Sequence, residues 1–184
     1  MPLLIQNILL FQAGWFICVI GGANPGYTWL GFIVVVAIML IHLGRAPGIR
    51  NEITLLLLAM FIGTLWDSSL ISAGLLEFTN DKATSGLAPY WLIAMWGLFA
   101  TTLNVSMKWL KKKYLLAAMF GAIGGPLSYY AGHRLGAVGF SETGAALLAV
   151  GAGWAVIMPA LMVLAERFNG YADIQEIPCE VKTA

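Results

Sequence analysis

Long apolar runs alternate with short polar segments along almost the whole chain. Six runs are delimited by turn-forming and charged residues: Leu3 to Gly22, Thr28 to Gly44, Ile53 to Gly74, Leu87 to Met107, Tyr114 to Gly132 and Thr143 to Ala165. Each run is close to the length of about 20 apolar residues that one helical crossing of a bilayer requires. Because backbone groups in lipid must be hydrogen-bonded within their own segment, we expect these runs to be helices.

The period of the pattern and the place where it ends define the predicted fold. The alternation of apolar and polar residues that a transmembrane β-barrel requires is absent, so the predicted class is all-α. We predict a polytopic integral membrane protein in which residues 1–166 form a compact bundle of six transmembrane helices. From Arg167 the chain turns polar, and we expect residues 167–184 to form a short, mobile cytoplasmic tail.

Composition agrees with a membrane protein and narrows the classes of partner. Hydrophobic residues make up 60% of the chain and charged residues only 10%, against about 25% charged residues in a typical soluble domain. The net charge of +1 provides no basic field, so nucleic acid is not expected as a partner. Membrane lipid and a hydrophobic small molecule are the expected partners, and the oligomeric state stays open.

The distribution of Lys and Arg predicts the orientation of the bundle. Lys82 and Arg134 lie on one predicted side. The other side carries Arg45, Arg50, Lys108, Lys111, Lys112, Lys113, Arg167 and Lys182. Because cytoplasmic loops carry the excess of Lys and Arg, both termini are predicted to be cytoplasmic. In this topology Cys18 and Cys179 lie toward opposite faces, so we do not expect a disulfide between them.

Asp67 is an acidic residue well inside an apolar run, and Glu52 at the start of that run is the nearest other charge. A charge at bilayer depth costs about 2.5–3.5 kcal/mol on insertion scales, so an intramembrane acid indicates a functional site. Gly63 and Thr64 share a helical face with Asp67. Small residues at these positions predict that the face packs against protein rather than lipid.

The end of the fifth run supplies candidate partners for Asp67. Pro126 predicts a kink in the fifth helix at a similar depth. Beyond it, Tyr129, His133 and Arg134 carry phenol, imidazole and guanidinium groups that can bind a carboxylate. We expect Arg134 to be the salt-bridge partner and His133 the proton partner. Asp67, Tyr129 and His133 are therefore candidate catalytic residues, while a purely structural pair between the third and fifth helices stays an open alternative.

A second polar layer lies toward the predicted cytoplasmic side. Gln12 is its deepest member, and His42, Glu52 and Asn104 lie at helix ends. His42 and Glu52 flank one short loop, which predicts that they meet. Ordinary polar side chains at the level of the lipid headgroups are the favoured interpretation of this layer, and a functional role is the alternative. The candidate substrate-binding residues from the two layers are Gln12, His42, Asn104, Ser128 and Arg134.

Small residues recur at a spacing of four on the fifth helix, at Ala117, Gly121 and Gly125. This spacing allows close approach of backbones, so we expect the helix to be central and the motif to serve packing within the chain. We expect Trp154 in the sixth run to face lipid or to pack against neighbouring side chains, and a position in a cavity wall is the alternative.

The usual catalytic signatures are missing from the sequence. It contains no nucleophile elbow of the G-x-S-x-G type, no H-E-x-x-H motif, no P-loop and no dinucleotide fingerprint. His42 and His133 are predicted on opposite sides of the membrane and cannot share one metal ion. We therefore predict neither a metal site nor a cofactor.

Several motifs together resemble a family of short uncharacterised six-helix bacterial inner-membrane proteins. They are Phe11-Gln12-x-Gly14-Trp15-Phe16, His42-Leu43, Gly63-Thr64-x-x-Asp67-Ser68, Pro89-Tyr90-Trp91-Leu92, Thr102-Leu103-Asn104-x-Ser106-x-x-Trp109 and Gly125-Pro126-Leu127-Ser128-Tyr129-Tyr130-Ala131-Gly132. The resemblance runs from the first to the sixth helix and implies a multi-pass protein of the bacterial inner membrane. It also implies a gene that lies near genes for lipid-modifying enzymes. It implies these positions as the ones to test: Gln12, His42, Asp67, Asn104, Ser128 and Tyr129.

Three functions remain open at this point. The favoured one is a membrane-embedded enzyme or binding protein for a lipid or isoprenoid, which predicts a cavity near Asp67 that opens laterally to lipid. A small proton-coupled transporter predicts a path between the two polar layers, through Gln12 and Asn104. If the protein is a non-catalytic accessory subunit, we expect a closed bundle without a pocket, in which Asp67 is fully hydrogen-bonded.

Overall fold

The computed structural model describes residues 2–24, 26–78 and 86–172, and the helices in this part of the chain follow the six predicted runs. The helices are α1 (Leu3–Ala23), α2 (Thr28–Leu43), α3 (Ile49–Ser72), α4 (Tyr90–Leu103), α5 (Tyr114–Arg134) and α6 (Thr143–Arg167). A short 3-10 turn, Lys108–Leu110, lies between α4 and α5. The predicted helical class is thus confirmed.

Three of these helices, α1, α3 and α6, are long and apolar enough to cross a membrane. The helices α2 and α4 are also apolar but shorter. Large apolar side chains face outward from the bundle, and the most exposed include Leu115 at 79%, Leu148 at 77% and Val156 at 70%. An apolar exterior of this extent is unusual for a soluble monomer and is typical of a protein surrounded by lipid.

The helix at the centre of the bundle is α4, not α5 as predicted. Ten of the fourteen residues of α4 are buried, and α4 packs against α1, α2 and α3. In contrast, α5 packs mainly against α6. The small residues of α5 do serve packing within the chain, because a Cβ on Gly121 would lie 2.3 Å from the carbonyl oxygen of Trp154. Gly121 therefore allows α5 to approach α6 closely, but this contact is at the edge of the bundle.

A two-stranded antiparallel ribbon modifies the all-α prediction. Its strands are β1 (Leu76–Phe78) and β2 (Val138–Phe140), which follow the ends of α3 and α5. Gly74 and Gly136 adopt positive φ angles of 71° and 86° between each helix and its strand. Glycine adopts this conformation without steric cost, so the chain turns out of each helix and the two extended segments meet. The ribbon marks one end of the bundle, called the ribbon end below.

The opposite end carries the C-termini of α2, α4 and α6 and is called the polar end below. The beginning of the predicted tail lies there, and the side chain of Tyr171 is buried with 2% of its surface exposed. Residues 173–184 of the predicted tail, which include Cys179 and Lys182, lie outside the described residues, as does Lys82.

Pro126 and Pro159 lie inside α5 and α6, and each helix continues past its proline.

Candidate functional site

Asp67 is fully buried in the last third of α3, and both of its carboxylate oxygens accept hydrogen bonds. The indole N–H of Trp96 donates to Oδ2 across 2.7 Å. The hydroxyl of Tyr129 donates to Oδ1 in a short hydrogen bond. Two neutral donors from α4 and α5 therefore hold the carboxylate, which forms no salt bridge within the described residues.

Gly63 makes room for the first of these donors. It lies one helical turn before Asp67, and a Cβ on Gly63 would lie 1.9 Å from the ring of Trp96. Any larger residue at this position would occupy the space of the indole. The prediction that the face of Gly63 and Asp67 packs against protein is confirmed, and its partner is the aromatic face of α4.

The expected partners Arg134 and His133 do not bind Asp67. Arg134 is exposed at the end of α5 and forms no salt bridge within the described residues. His133 is half-buried, and its Nδ1 lies 2.9 Å from the carbonyl oxygen of Val138 at the start of β2. Tyr129, one turn earlier on α5, reaches the carboxylate instead, so the predicted salt bridge and proton partner are wrong while the contact between α3 and α5 is present.

A cavity of about 470 Å³ lies beside this cluster. Trp96 and Tyr129, the two donors to Asp67, form part of its wall. Most of the remaining wall is aromatic or aliphatic: Phe11, Trp15, Leu92, Met95, Phe99, Met107, Phe120, Leu127, Ala131, Trp154 and Met158. Gly121, Gly124 and Gly125 line the side formed by α5. Gln12 and Ser128 also line the cavity, so two candidate substrate-binding residues are brought to it.

Residues of α1 and α5 that line the cavity are also exposed on the side of the bundle, among them Gln12 of α1. Phe120 and Leu127 line the cavity and are also 41% and 62% exposed on the surface of α5. The inner wall is Trp154, whose ring stacks on that of Trp96 with centroids 4.8 Å apart. Trp154 thus lines the cavity, which is the alternative that the sequence did not favour, and its ring also packs against Gly125 of α5.

The polar end holds a second buried cluster, centred on Glu52. Its carboxylate is fully buried and accepts hydrogen bonds from Asn104 Nδ2 at 2.5 Å and from the backbone N–H of Gly170 at 2.9 Å. His42 Nε2 lies 2.8 Å from the other carboxylate oxygen. The predicted contact between His42 and Glu52 is therefore confirmed, and Glu52 also ties α4 and the segment after α6 to α3.

Lys111 and Tyr171 complete this second cluster. Lys111 Nζ donates to Asn104 Oδ1 across 2.6 Å, and burial lowers the pKa of Lys111. The hydroxyl of Tyr171 donates to the carbonyl oxygen of His42 across 2.7 Å. Burial, with a further contribution from the charge of Glu52, raises the pKa of Tyr171 to about 12. The contacts in this cluster are made within the chain, and neither Asn104 nor His42 lines the large cavity.

The arrangement thus separates the candidate residues into two groups. Asp67, Tyr129, Gln12 and Ser128 lie in or behind the wall of the large cavity, while His42 and Asn104 belong to the polar end. Chemically, the first group offers a phenol whose proton is held by a buried carboxylate, which is a hydrogen-bonding or acid–base group in an apolar setting.

Two residues of the site were not predicted from the sequence. Trp96 is the second donor to Asp67, and Tyr171 covers His42. Gly63 signalled that this face packs against a neighbouring helix, but not that the contacting side chain is Trp96. No comparable signal marked Tyr171 within the polar tail. Among the described residues, no group of three or more His, Cys, Asp or Glu side chains is arranged to hold a metal ion.

Comparison with known proteins gives one informative match. Neither a curated protein nor a solved structure shows significant similarity to this chain. A family described as "Protein of unknown function (DUF2878)" matches residues 4–160, a stretch that contains α1 except its first residue, α2 to α5, most of α6, and both donors to Asp67. The resemblance inferred from the sequence motifs is thus confirmed at the level of an uncharacterised family, and the chain belongs to the DUF2878 family.

Proposed function

We propose that this protein is a multi-pass protein of the bacterial inner membrane that binds a lipid or isoprenoid beside Asp67. The observation that carries the proposal is the cavity of about 470 Å³ whose wall includes Trp96 and Tyr129, the two residues that hold the buried carboxylate. Its volume falls in the range of about 300–1,000 Å³ that is usual for small-molecule sites. A lateral opening between α1 and α5 would let a hydrophobic molecule enter directly from the bilayer.

The proposed topology has six spans with both termini in the cytoplasm. In support, all six helices pack into one bundle with an apolar exterior, and the polar end carries Arg45, Lys108 and Lys111. A cytoplasmic location of this end agrees with the usual excess of Lys and Arg on the cytoplasmic side. The cavity would then extend from Met107, next to that face, to Ala131 near the ribbon end.

Asp67 has a positioning role in this proposal, and Tyr129 is the group that meets the ligand. Tyr129 lines the cavity, and its proton points to the Asp67 carboxylate. The phenol oxygen keeps its lone pairs for a donor on the ligand. In an enzyme, Tyr129 would pass its phenol proton to Asp67 as its oxygen takes a proton from the ligand, and binding without chemistry is the simpler form of the proposal.

A transport role would require a path from the cavity to the polar end. Asn104 was the residue expected on that path, but its amide is engaged with Glu52, Phe168 and Lys111. We therefore favour binding over transport.

The test is to purify the full chain in a mild detergent and to identify bound lipid by native mass spectrometry. Gly124 lines the cavity, and a Cβ there would have only one neighbour within 4 Å, Phe120 Cε1 at 4.0 Å. Gly124→Leu should therefore fill the cavity without disturbing the wall, and Gly124→Ala is the matched control. We expect bound lipid in the wild type and in Gly124→Ala and its loss in Gly124→Leu. Equal amounts of bound lipid in all three proteins would refute the cavity as the binding site.

A further inference from the structure

The wall of the large cavity is uncharged. None of its described lining residues is Asp, Glu, Lys, Arg or His. Transfer of an unpaired charge into such a site is strongly unfavourable. The part of a ligand that lies inside the cavity must therefore be neutral.

Two neutral polar side chains of this wall make no hydrogen bond within the described residues. They are Gln12 on α1 and Ser128 on α5. The protein does not close off either side chain, because Gln12 is exposed and Ser128 is partly exposed. Tyr129, in contrast, directs its proton to Asp67. A molecule in the cavity can therefore reach Gln12 and Ser128 and form the hydrogen bonds that the chain does not supply.

The position of Gln12 makes a missing partner costly. It lies near the middle of α1, one of the helices long and apolar enough to cross a membrane. Ile8 and Phe16, one turn away on either side, are exposed and apolar. In the proposed topology no water reaches this depth, and an amide without a hydrogen bond is strongly unfavourable in an apolar medium. A ligand that pairs with Gln12 removes this cost.

The amide of Gln12 selects the kind of polar group that pairs with it. Its Nε2 donates and its Oε1 accepts, and the hydroxyl of Ser128 also does both. A ligand carbonyl or ether oxygen can only accept, so it would leave Oε1 of Gln12 unpaired. A ligand hydroxyl group donates and accepts, is neutral, and therefore suits both side chains.

We propose that the ligand of this cavity is a neutral lipid alcohol whose hydroxyl group hydrogen-bonds to Gln12, with Ser128 as a second polar contact. This rests on the proposed function and adds the chemical class of the ligand. The hydrocarbon part lies against the apolar residues of the wall, among them Phe11 and Phe99.

The experiment compares radiolabelled probes that share a chain and differ in the polar group. One set is hexadecanol, hexadecane and palmitate, and the other is farnesol, farnesane and farnesyl phosphate. Each set thus contains an alcohol, a hydrocarbon and an anion, and the two sets distinguish an acyl from an isoprenoid chain. Equilibrium binding to the purified full chain is measured in detergent at pH 9, where palmitate is ionised. Affinity is expressed per mole fraction of probe in the micelles, so that differences in partitioning cancel.

In at least one set we expect the alcohol to bind about tenfold more tightly than the hydrocarbon, which corresponds to one hydrogen bond to a group that is otherwise unpaired. The anion of that set should also bind more weakly than the alcohol, because the wall offers no opposite charge.

Two variants show whether Gln12 is the partner of the hydroxyl group. Gln12→Leu removes the amide and keeps a side chain of similar size. Gln6→Leu is the matched control, because Gln6 is on the same helix but does not line the large cavity, and its Oε1 accepts a hydrogen bond from Arg45. We expect the preference for the alcohol to disappear in Gln12→Leu and to persist in Gln6→Leu. Ser128→Ala should reduce the preference without abolishing it.

The outcomes separate this inference from the proposed function. If alcohol and hydrocarbon bind equally well in both sets, the inference is overturned and lipid binding stands. Equal binding of alcohol and anion would overturn the requirement for a neutral ligand. An equal loss of affinity for alcohol and hydrocarbon in Gln12→Leu would also overturn the inference, because the amide would then only shape the wall. If no probe binds to the wild type, the proposed function itself fails.

Discussion

The indole N–H of Trp96 donates a 2.7 Å hydrogen bond to Oδ2 of Asp67, which joins the central helix α4 to the buried acid of α3. The same indole forms part of the cavity wall and stacks on Trp154. A change at Asp67 is therefore transmitted to the cavity through a rigid ring. Through this contact, a substitution at Asp67 should shift the wall of the proposed binding site, although Asp67 itself does not line the cavity.

Gly63→Ala should destabilise the protein by displacing this ring. The new Cβ would lie 1.9 Å from Trp96, and overpacking of a core usually costs about 1–3 kcal/mol. Gly132→Ala on α5 is the control, because its Cβ would be 3.5 Å from the nearest atom, a normal contact with Val138. Unfolding in denaturing detergent measures both variants. Equal stability of the two would show that Trp96 moves at no cost.

Asp67→Leu should be less stable than Asp67→Asn. Leucine leaves the Trp96 N–H and the Tyr129 hydroxyl unpaired, at about 1–3 kcal/mol for each buried group. Asparagine keeps a carbonyl oxygen for Trp96 and offers an amide N–H to the phenol oxygen of Tyr129. The comparison uses the same unfolding measurement. If leucine were tolerated as well as asparagine, hydrogen bonding at this position would not hold the bundle together.

The stability difference between the wild type and Tyr171→Phe should depend on pH. Tyr171 has a pKa of about 12 in the folded protein, above its ordinary value of 10.0. Between these values the folded state binds more protons than the unfolded state, so stability falls as pH rises. The contribution of the phenol is complete below pH 10 and is lost as pH rises toward 12. Unfolding midpoints between pH 8 and 12 should converge for the two proteins, and a constant difference would contradict the buried position of Tyr171.

Reporter fusions test the proposed orientation. A cytoplasmic reporter fused to the C-terminus should be active, whereas alkaline phosphatase fused there should be inactive. Alkaline phosphatase inserted after Gly136, at the ribbon end, should be active because that end is proposed to face the periplasm. The reverse pattern would exclude cytoplasmic termini.

Much of the fold could be predicted because the length of an apolar run directly limits the helix it forms. The run from Ile53 to Gly74 was predicted four residues short at its start, since α3 begins at Ile49. Glu52 lies in the first turn of α3 and is buried. Because it is charged, the apolar run was taken to begin only after it. The contact between His42 and Glu52 was predictable because a short loop joins them.

The partners of Asp67 could not be predicted in the same way. Charge alone favoured Arg134, but the rotation of α5 against α3 directs Tyr129 to the carboxylate and leaves Arg134 exposed. That rotation depends on close contacts such as that of Gly121 with Trp154, which involve residues far apart in the chain. The contact between Tyr171 and His42 could not be predicted for the same reason, because the two residues are 129 positions apart in the chain.

Photo-crosslinking tests most directly whether the cavity beside Asp67 binds lipid. A palmitoyl ester with a diazirine on its chain would be irradiated with the protein in membranes, and the labelled residues identified by mass spectrometry. We predict label on Phe11, Phe99 and Met158, which line the cavity and are not exposed on the outer surface, and its removal by excess methyl palmitate or by Gly124→Leu. Label confined to outward residues such as Leu115 and Leu148, with no competition by the unlabelled ester, would contradict the account.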